Sequence, residues 1–386
     1  MRRAFAAFSF SGCWVALALV CILGVTAIAW TRPFLGWDLL PYVAIVHSWT
    51  DPAGTDTHEA AYADAARFAA AHRLEEQMTI LQKGRYRVTM ATDAAAFEDQ
   101  LPFYRIRPLY LAIVTAAATL TATVSEATML VTVGSFFACC IIVLWYGVRR
   151  AGVVAGSIAS GLFALAPPAT QAARLSTPDT LTMLLMTVAA IAFARGRLVA
   201  AASLLAVGVL IRTDLEVFNV CLAGAWLMLA WRRPGSVLVA GILASSVAIS
   251  AAVNAWAGSY GYAGLYRFTF MEGNVPHPAS LRGLGFPFGS LLPNIEAGVK
   301  YSLENGGLWM VLALLGLCVT LLARASAGER RDEGPMCEAL LVAVGLSTCV
   351  RFVLFPELDL RLVAPAAAVL TVVLLTIGGR RRVVAA

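Results

Sequence analysis

Apolar stretches of about twenty residues recur along the chain, separated by short polar segments. They fall at 12–30, 125–146, 151–171, 180–194, 198–213, 215–231, 235–256, 305–323, 336–354 and 361–378. A helix needs about 20 apolar residues to cross the ~30 Å hydrocarbon core of a bilayer. The runs are continuous and do not alternate, which selects helices over a barrel. The pattern predicts an all-α polytopic membrane protein with about ten spans. The segment 108–122 is also apolar. If it crossed, Arg149 and Arg150 would lie on the opposite side from every later arginine cluster, so it is read as a re-entrant or interfacial helix.

Two longer polar stretches interrupt the runs, at 31–107 and 257–303. Within the first, 40–49 is short and apolar, and is expected on the membrane surface. Residues 57–75 read as an amphipathic helix capped by Thr57, and 92–100 as a short helix. The second is rich in Gly, Pro and aromatic residues and carries Arg267, Glu272, His277 and Arg282. The whole of 1–386 is taken as a single transmembrane domain.

Composition agrees with the pattern. Hydrophobic residues make up 60% of the 386 and charged residues only 13%, about half a soluble domain's share. The net charge of +6 needs no nucleic acid to explain it. Arginines cluster beside apolar runs, at Arg2–Arg3, Arg149–Arg150, Arg195 with Arg197, Arg232–Arg233, Arg324 to Arg331 and Arg380 to Arg382. By the positive-inside rule these ends are cytoplasmic, with both termini, and the two long polar stretches lie outside. The first run lacks a small-residue cleavage site and is expected to stay as an uncleaved span. The eight cysteines lie in or beside apolar runs, which suits packing rather than disulfides or metal binding. The arginine-, alanine- and glycine-rich composition, with only two lysines, has a bacterial cast.

The candidate chemistry sits in one layer. Asp38 follows the first run within an apolar, aromatic setting, an expensive place for a charge. Asp38, Glu59 and Asp179 are candidate carboxylates for proton abstraction or for a divalent cation, Mg or Mn, although no compact ligand cluster favours a metal site. Glu59 also reads as a carboxylate complementing a helix N-terminus, and Asp179, after Pro178, as a helix cap. Arg105, Arg107, Arg174, Arg212, Arg351 and Arg361 lie near the same ends of their runs. They suit a lipid phosphate or ordinary snorkelling to headgroups. Arg361 follows Glu357 and Asp359 closely, an unusual concentration of charge. His47, His58, His72 and His277 form no motif. HExxH, CxxC and the glycine-rich nucleotide loops are absent. Without a nucleotide-binding segment, a transferase here would need a donor carried on lipid.

Several stretches resemble the GT-C superfamily of membrane glycosyltransferases, which includes aminoarabinose and arabinosyl transferases and protein O-mannosyltransferases. They are the WD at 37–38, the helical segment after it, FYRIRPLY at 103–110, ALAPPATQAARLSTPDTL at 164–181, GVLIRTD at 208–214 and DLRLVAP at 359–365. The resemblance implies transfer of a sugar from a polyprenyl-phosphate donor to an acceptor hydroxyl, with inversion, on the outer side of a bacterial inner membrane. It makes Asp38 the base, with Asp179 as the second-loop acid and Glu59 as a further carboxylate. It makes Arg361 the contact to the donor phosphate, with Arg212, Arg105 and Arg107 as helpers. His58, Tyr104, Arg174, Arg267, Glu357 and Asp359 would line the substrate cavity. The family usually carries a second acid beside the first. Here leucines follow Asp38, which speaks for a metal-independent base. The acceptor is a glycan, a lipid or a protein. A transporter or flippase of lipid-linked substrates and a non-catalytic scaffold are the competing classes. No internal repeat supports the former.

Overall fold

The computed structural model describes the backbone of residues 2–51, 56–271, 275–327, 334–357 and 359–384. Of these it describes the side chains of all but 2–11, 324–327 and 380–384. Glu272 and the arginines of the 2–3, 324–331 and 380–382 clusters therefore lie outside the described side chains. Among the described residues the chain is all-α. Its single non-helical pairing is an isolated bridge between Phe34 and Leu175.

Helix α1 covers Arg2–Thr31. The first long polar segment then folds into α2 (Leu39–Thr50), α3 (Thr57–His72), α4 (Glu75–Leu81), α5 (Arg85–Thr92), α6 (Ala94–Gln100) and α7 (Pro102–Arg105). After it come α8 (Pro108–Ala118), α9 (Val124–Ala151), α10 (Val153–Leu165), α11 (Pro167–Arg174), α12 (Asp179–Ala194), α13 (Leu198–Gly208), α14 (Leu215–Ala230) and α15 (Ser236–Trp256). The second polar segment carries α16 (Gly261–Phe270), two 3₁₀ turns and α17 (Leu291–Glu304). Helices α18 (Gly307–Ala327), α19 (Gly334–Leu354) and α20 (Leu360–Val384) complete the described chain.

The expected count of about ten spans is corrected. Among the described residues five helices are long and apolar enough to cross a membrane: Gly12–Thr31, Val124–Ala151, Ser236–Trp256, Gly334–Leu354 and Leu360–Gly379. The number reaches seven if two bent pairs each count as one span. These are α10 with α11, bent by 54°, and Phe288–Glu304 with Gly307–Ala323, bent by 93°. Helices α8, α12, α13 and α14 are shorter apolar helices. At about 1.5 Å per residue, eleven residues reach about 17 Å and sixteen about 24 Å, short of the hydrocarbon core. Apolarity alone does not separate a spanning helix from one wrapped by its neighbours. Helix α12 packs against α9, α13 and α20, and most of its side chains are buried.

A recess explains why α12 is short. Its first turn lies beside α9 about a third of the way along that helix, where the Thr180 hydroxyl donates to the Thr132 carbonyl. Thr132 is eight residues into α9, so α12 begins about 12 Å below the start of its longer neighbour. At the far end of α9, Arg149 and Arg195 both stack on Trp145, at 5.0 and 5.1 Å, and the Tyr146 hydroxyl meets that of Thr376 on α20 at 2.7 Å. Helices α9, α12 and α20 thus run side by side, from a carboxylate-rich end to an arginine-rich end.

The two long polar segments pack together over the carboxylate-rich end. Tyr260 donates to the carbonyl of Asp99 at 2.7 Å, and His277 meets the Asp99 carboxylate at 3.1 Å. Phe268 packs on both Tyr86 and Phe103. Helix α2, expected on the membrane surface, is enclosed by protein. Leu39 to Val46 are all buried, covered by α3, α8 and α9. The cap of α3 is Asp56, which accepts from His58 N and Glu59 N, in place of Thr57.

Candidate functional site

Asp38 sits where α1 ends and α2 begins. It occupies the N-cap position of α2 but makes no side-chain cap bond, so its carboxylate is free to face inward. Arg361, in the first turn of α20, donates Nη1 to Asp38 Oδ2 at 3.1 Å. Tyr104, on α7, donates to Asp38 Oδ1 at 3.2 Å. Three distant parts of the chain, at 38, 104 and 361, therefore meet on one carboxylate.

Arg361 has other anionic neighbours. Its Nε donates to Asp359 Oδ2 at 2.9 Å, and Nη1 lies 4.0 Å from Asp179 Oδ2. Asp179 is buried and accepts from the Thr177 hydroxyl and from Arg212. It stands as the first residue of α12 and makes no cap bond to the helix backbone, so the cap reading is replaced by that of a buried counter-ion. Arg212 binds both oxygens of Asp214 at 2.7 and 2.9 Å, and Arg351 reaches Asp214 at 3.3 Å. The result is a continuous chain of charge from Asp38 through Arg361, Asp179 and Arg212 to Asp214 and Arg351. Buried charges persist when paired in this way.

Arg107 differs from the other three arginines. Its guanidinium lies over the rings of Tyr42 and Tyr104, at 5.3 and 5.7 Å. Its Nη1 is buried without a hydrogen-bond partner. Burial pulls its pKa down to about 10, against the pull of Asp38, which favours the charged form.

Burial alone would raise the Asp38 carboxyl. The charges of Arg361 and Arg107, with the hydrogen bonds from Arg361 and Tyr104, outweigh it and hold the group below the usual carboxylate range. Burial and the adjacent Asp38 charge push Tyr104 well above the usual phenol range, so it stays a donor. Burial would also raise Asp214, but Arg212 and Arg351 lower it. Glu357 goes the other way, raised mainly by burial.

Two cavities meet at Asp38. One, of about 740 Å³, lies between α1 and α11 and is lined by Val25, Ile28, Trp37, Thr170, Gln171 and Arg174 among others. The other, of about 410 Å³, holds Arg107, Arg212, Arg351, Tyr104, Asp214 and Glu357, with an apolar part from Leu265, Phe268, Phe355 and Leu362. Only Asp38 and Arg361 line both.

The remaining candidates divide. Asp359 and Arg174 line the first cavity, Arg174 also donating Nε to the Arg32 carbonyl at 3.0 Å. Arg105 and Arg267 line neither cavity, and Arg267 donates to the Gly285 carbonyl. Glu59 is exposed in the first turn of α3. His58 faces Met90 O at 2.8 Å and packs between Tyr62 and Phe97, a structural setting within the loop layer. Three participants were not among the site candidates: Asp214, Trp37 and Gln171. Asp214 stands two residues after Arg212, a spacing that in retrospect marks the pair. The donor set does not suit a divalent cation. Among the described residues no three His, Cys, Asp or Glu side chains converge, and Asp38, Asp179, Asp214 and Asp359 each face a guanidinium.

Comparison with known proteins gives no match to a family model, a curated protein or a solved structure.

Proposed function

We propose that the protein is a glycosyltransferase of the GT-C kind, moving a sugar from a polyprenyl-phosphate donor to an acceptor hydroxyl. One observation carries the reading: a carboxylate just beyond a spanning helix, paired with an arginine, lines two cavities at once. A base that both cavities share can reach an acceptor hydroxyl in one while the donor sugar extends to it from the other, as a displacement needs.

In this mechanism the arginine cavity takes the donor. Arg107, with its unpartnered Nη1, and Arg361 face the phosphate, and Leu265, Phe268 and Phe355 face the first isoprene units. The acceptor oxygen attacks the sugar C1 from the other cavity. The C1–O bond to phosphate breaks, and polyprenyl phosphate leaves with the bonding electrons. Asp38 receives the acceptor proton, while Arg361 and Arg107 stabilise the charge that grows on the leaving phosphate. Tyr104 holds Asp38 in place and cannot compete as a base. The arginine-rich ends of α9 and α12 support an orientation with those ends in the cytoplasm and the site toward the periplasm or cell exterior, in a bacterial inner membrane.

The test is turnover by purified protein in lipid nanodiscs with a panel of radiolabelled polyprenyl-phosphate sugars. Release of polyprenyl phosphate by wild type, lost by about 10²–10⁴-fold in Asp38→Asn and indifferent to EDTA, supports the reading. Saturable binding without release for every donor overturns transfer in favour of transport. No binding at all removes the donor assignment.

A further inference from the structure

We infer that the cavity between α1 and α11 takes a hydroxyl-bearing amphiphile, so that the acceptor is a membrane lipid presenting a headgroup hydroxyl to Asp38. The inference rests on the transferase reading and adds the acceptor's class to it.

The cavity is graded from apolar to polar. Val25 and Ile28 form one wall. Both belong to the spanning stretch Gly12–Thr31, and Ile28 is 53% exposed. Ile28 therefore lies at membrane depth and is open to acyl chains, while Val25 is buried behind it. Asp38, past the end of α1, lines it as well, together with Asp359 and Arg361. An amphiphile fits such a gradient with its tail along α1 and its headgroup at the carboxylates. The volume, about 740 Å³, is of the size that holds a headgroup and the start of a chain.

A second feature asks for a donor from the ligand. Gln171 lines this cavity, and its Oε1 is buried with no hydrogen-bond partner. A buried acceptor left unmade is costly. A headgroup hydroxyl supplies the missing donor and brings the neighbouring hydroxyl toward Asp38. The approach from above is narrowed by the loop layer: Trp37 bonds to Gln100 at 3.3 Å, and Tyr86 donates to the same oxygen at 2.7 Å. A ligand entering sideways from the bilayer meets no such cover at Ile28.

In the transfer, the lipid O–H attacks the sugar C1 as the C1–O bond to phosphate breaks. The proton passes to Asp38, and the products are a glycosylated lipid and polyprenyl phosphate.

The probe is dodecyl glucoside with a diazirine in its alkyl chain, photolysed with the full-length protein in nanodiscs. Labelled peptides should map to 25–28 and 167–174. Unlabelled dodecyl maltoside should compete, and free maltose should not. Gln171→Leu should cut labelling about five- to tenfold, the worth of one hydrogen bond, while saturable polyprenyl-phosphate binding stays at the wild-type value. Thr170→Trp, which fills the cavity, should do the same, with size-exclusion profiles confirming the fold of both. Labelling spread evenly over lipid-facing helices, or unmoved by both substitutions, overturns the inference. Transfer to soluble sugars or peptides but never to alkyl glycosides overturns it too, and leaves the transferase reading standing. Site-specific labelling with no polyprenyl-phosphate release under any acceptor removes the transferase reading, and with it the assignment of the bound amphiphile as acceptor.

Discussion

Asp38 is ionised well into the acid range because Arg361, Arg107 and Tyr104 surround it. As the proposed base it must be deprotonated to act, so the acid limb of turnover should lie below the ordinary aspartate value of about 3.9. Turnover in wild type should stay level between pH 7 and pH 5. Arg361→Gln removes the nearest positive charge and leaves burial to act, which raises the carboxyl. The residual activity of that variant should fall with an acid limb displaced upward. A pH–rate profile of both proteins checks this, and an unmoved limb would separate Arg361 from Asp38. Asp64 offers a stability counterpart in the loop layer. It is buried on α3 and caps α9, accepting from Val124 N at 2.8 Å, Ser125 N at 2.9 Å and the Ser125 hydroxyl at 2.6 Å. Burial would raise it, but His47 and these hydrogen bonds hold it below its usual value. The charged form is thus favoured in the fold. Its contribution is complete above the unfolded value of about 3.9 and is lost as pH falls through the lower folded value. Asp64→Ala should destabilise by about 1–3 kcal/mol at neutral pH, and the difference from wild type should shrink as the pH falls through that lower value. Thermal unfolding across pH measures both.

Helix α10 crosses α9 at two glycines. A Cβ built on Gly156 would fall on the backbone of Gly147, and one on Gly147 would lie 3.0 Å from Gly156 Cα. Small residues let membrane helices approach this closely. Gly156→Leu must push the helices apart, which costs about 1–3 kcal/mol or more. A lowered unfolding midpoint in detergent is the expected result, and an unchanged midpoint would show that the crossing is not needed. The same scale explains which elements the sequence revealed. The 57–75, 92–100 and 336–354 regions announce their helices through periodicity and flanking polar residues, and the structure has helices there to within a few residues. The run at 180–194 reads as a span because apolar periodicity reports burial without saying whether lipid or protein does the burying. Only the recess beside Thr132 shows why α12 is short.

For the whole molecule, the two long polar segments form one layer over the site, tied at Asp99 by Tyr260 and His277. Cysteines placed at exposed Glu75 and Arg282 should therefore react with a membrane-impermeant maleimide from the same face. A cysteine at Arg149, in the last turn of α9, should react from the other. Labelling of Glu75→Cys and Arg282→Cys from opposite faces would break the layer apart. The layer also sets the shape of the site. It closes over Trp37 and Tyr104 while the sides of α1 remain toward the bilayer.

Sequence by itself determined that the chain is a helical membrane protein, because apolar runs of this length have no other stable solution in lipid. It also marked Asp38, Asp179, Arg212 and Arg361, since a charge beside an apolar run is costly enough to stand out. Tertiary structure decided that these four join in one network, that Arg107 keeps a donor free, and that Arg105 and Glu59 stand apart. It decided how many helices are long enough to cross. Pairing between residues more than three hundred positions apart, as between Asp38 and Arg361, depends on how whole helices pack, and no local spacing encodes it.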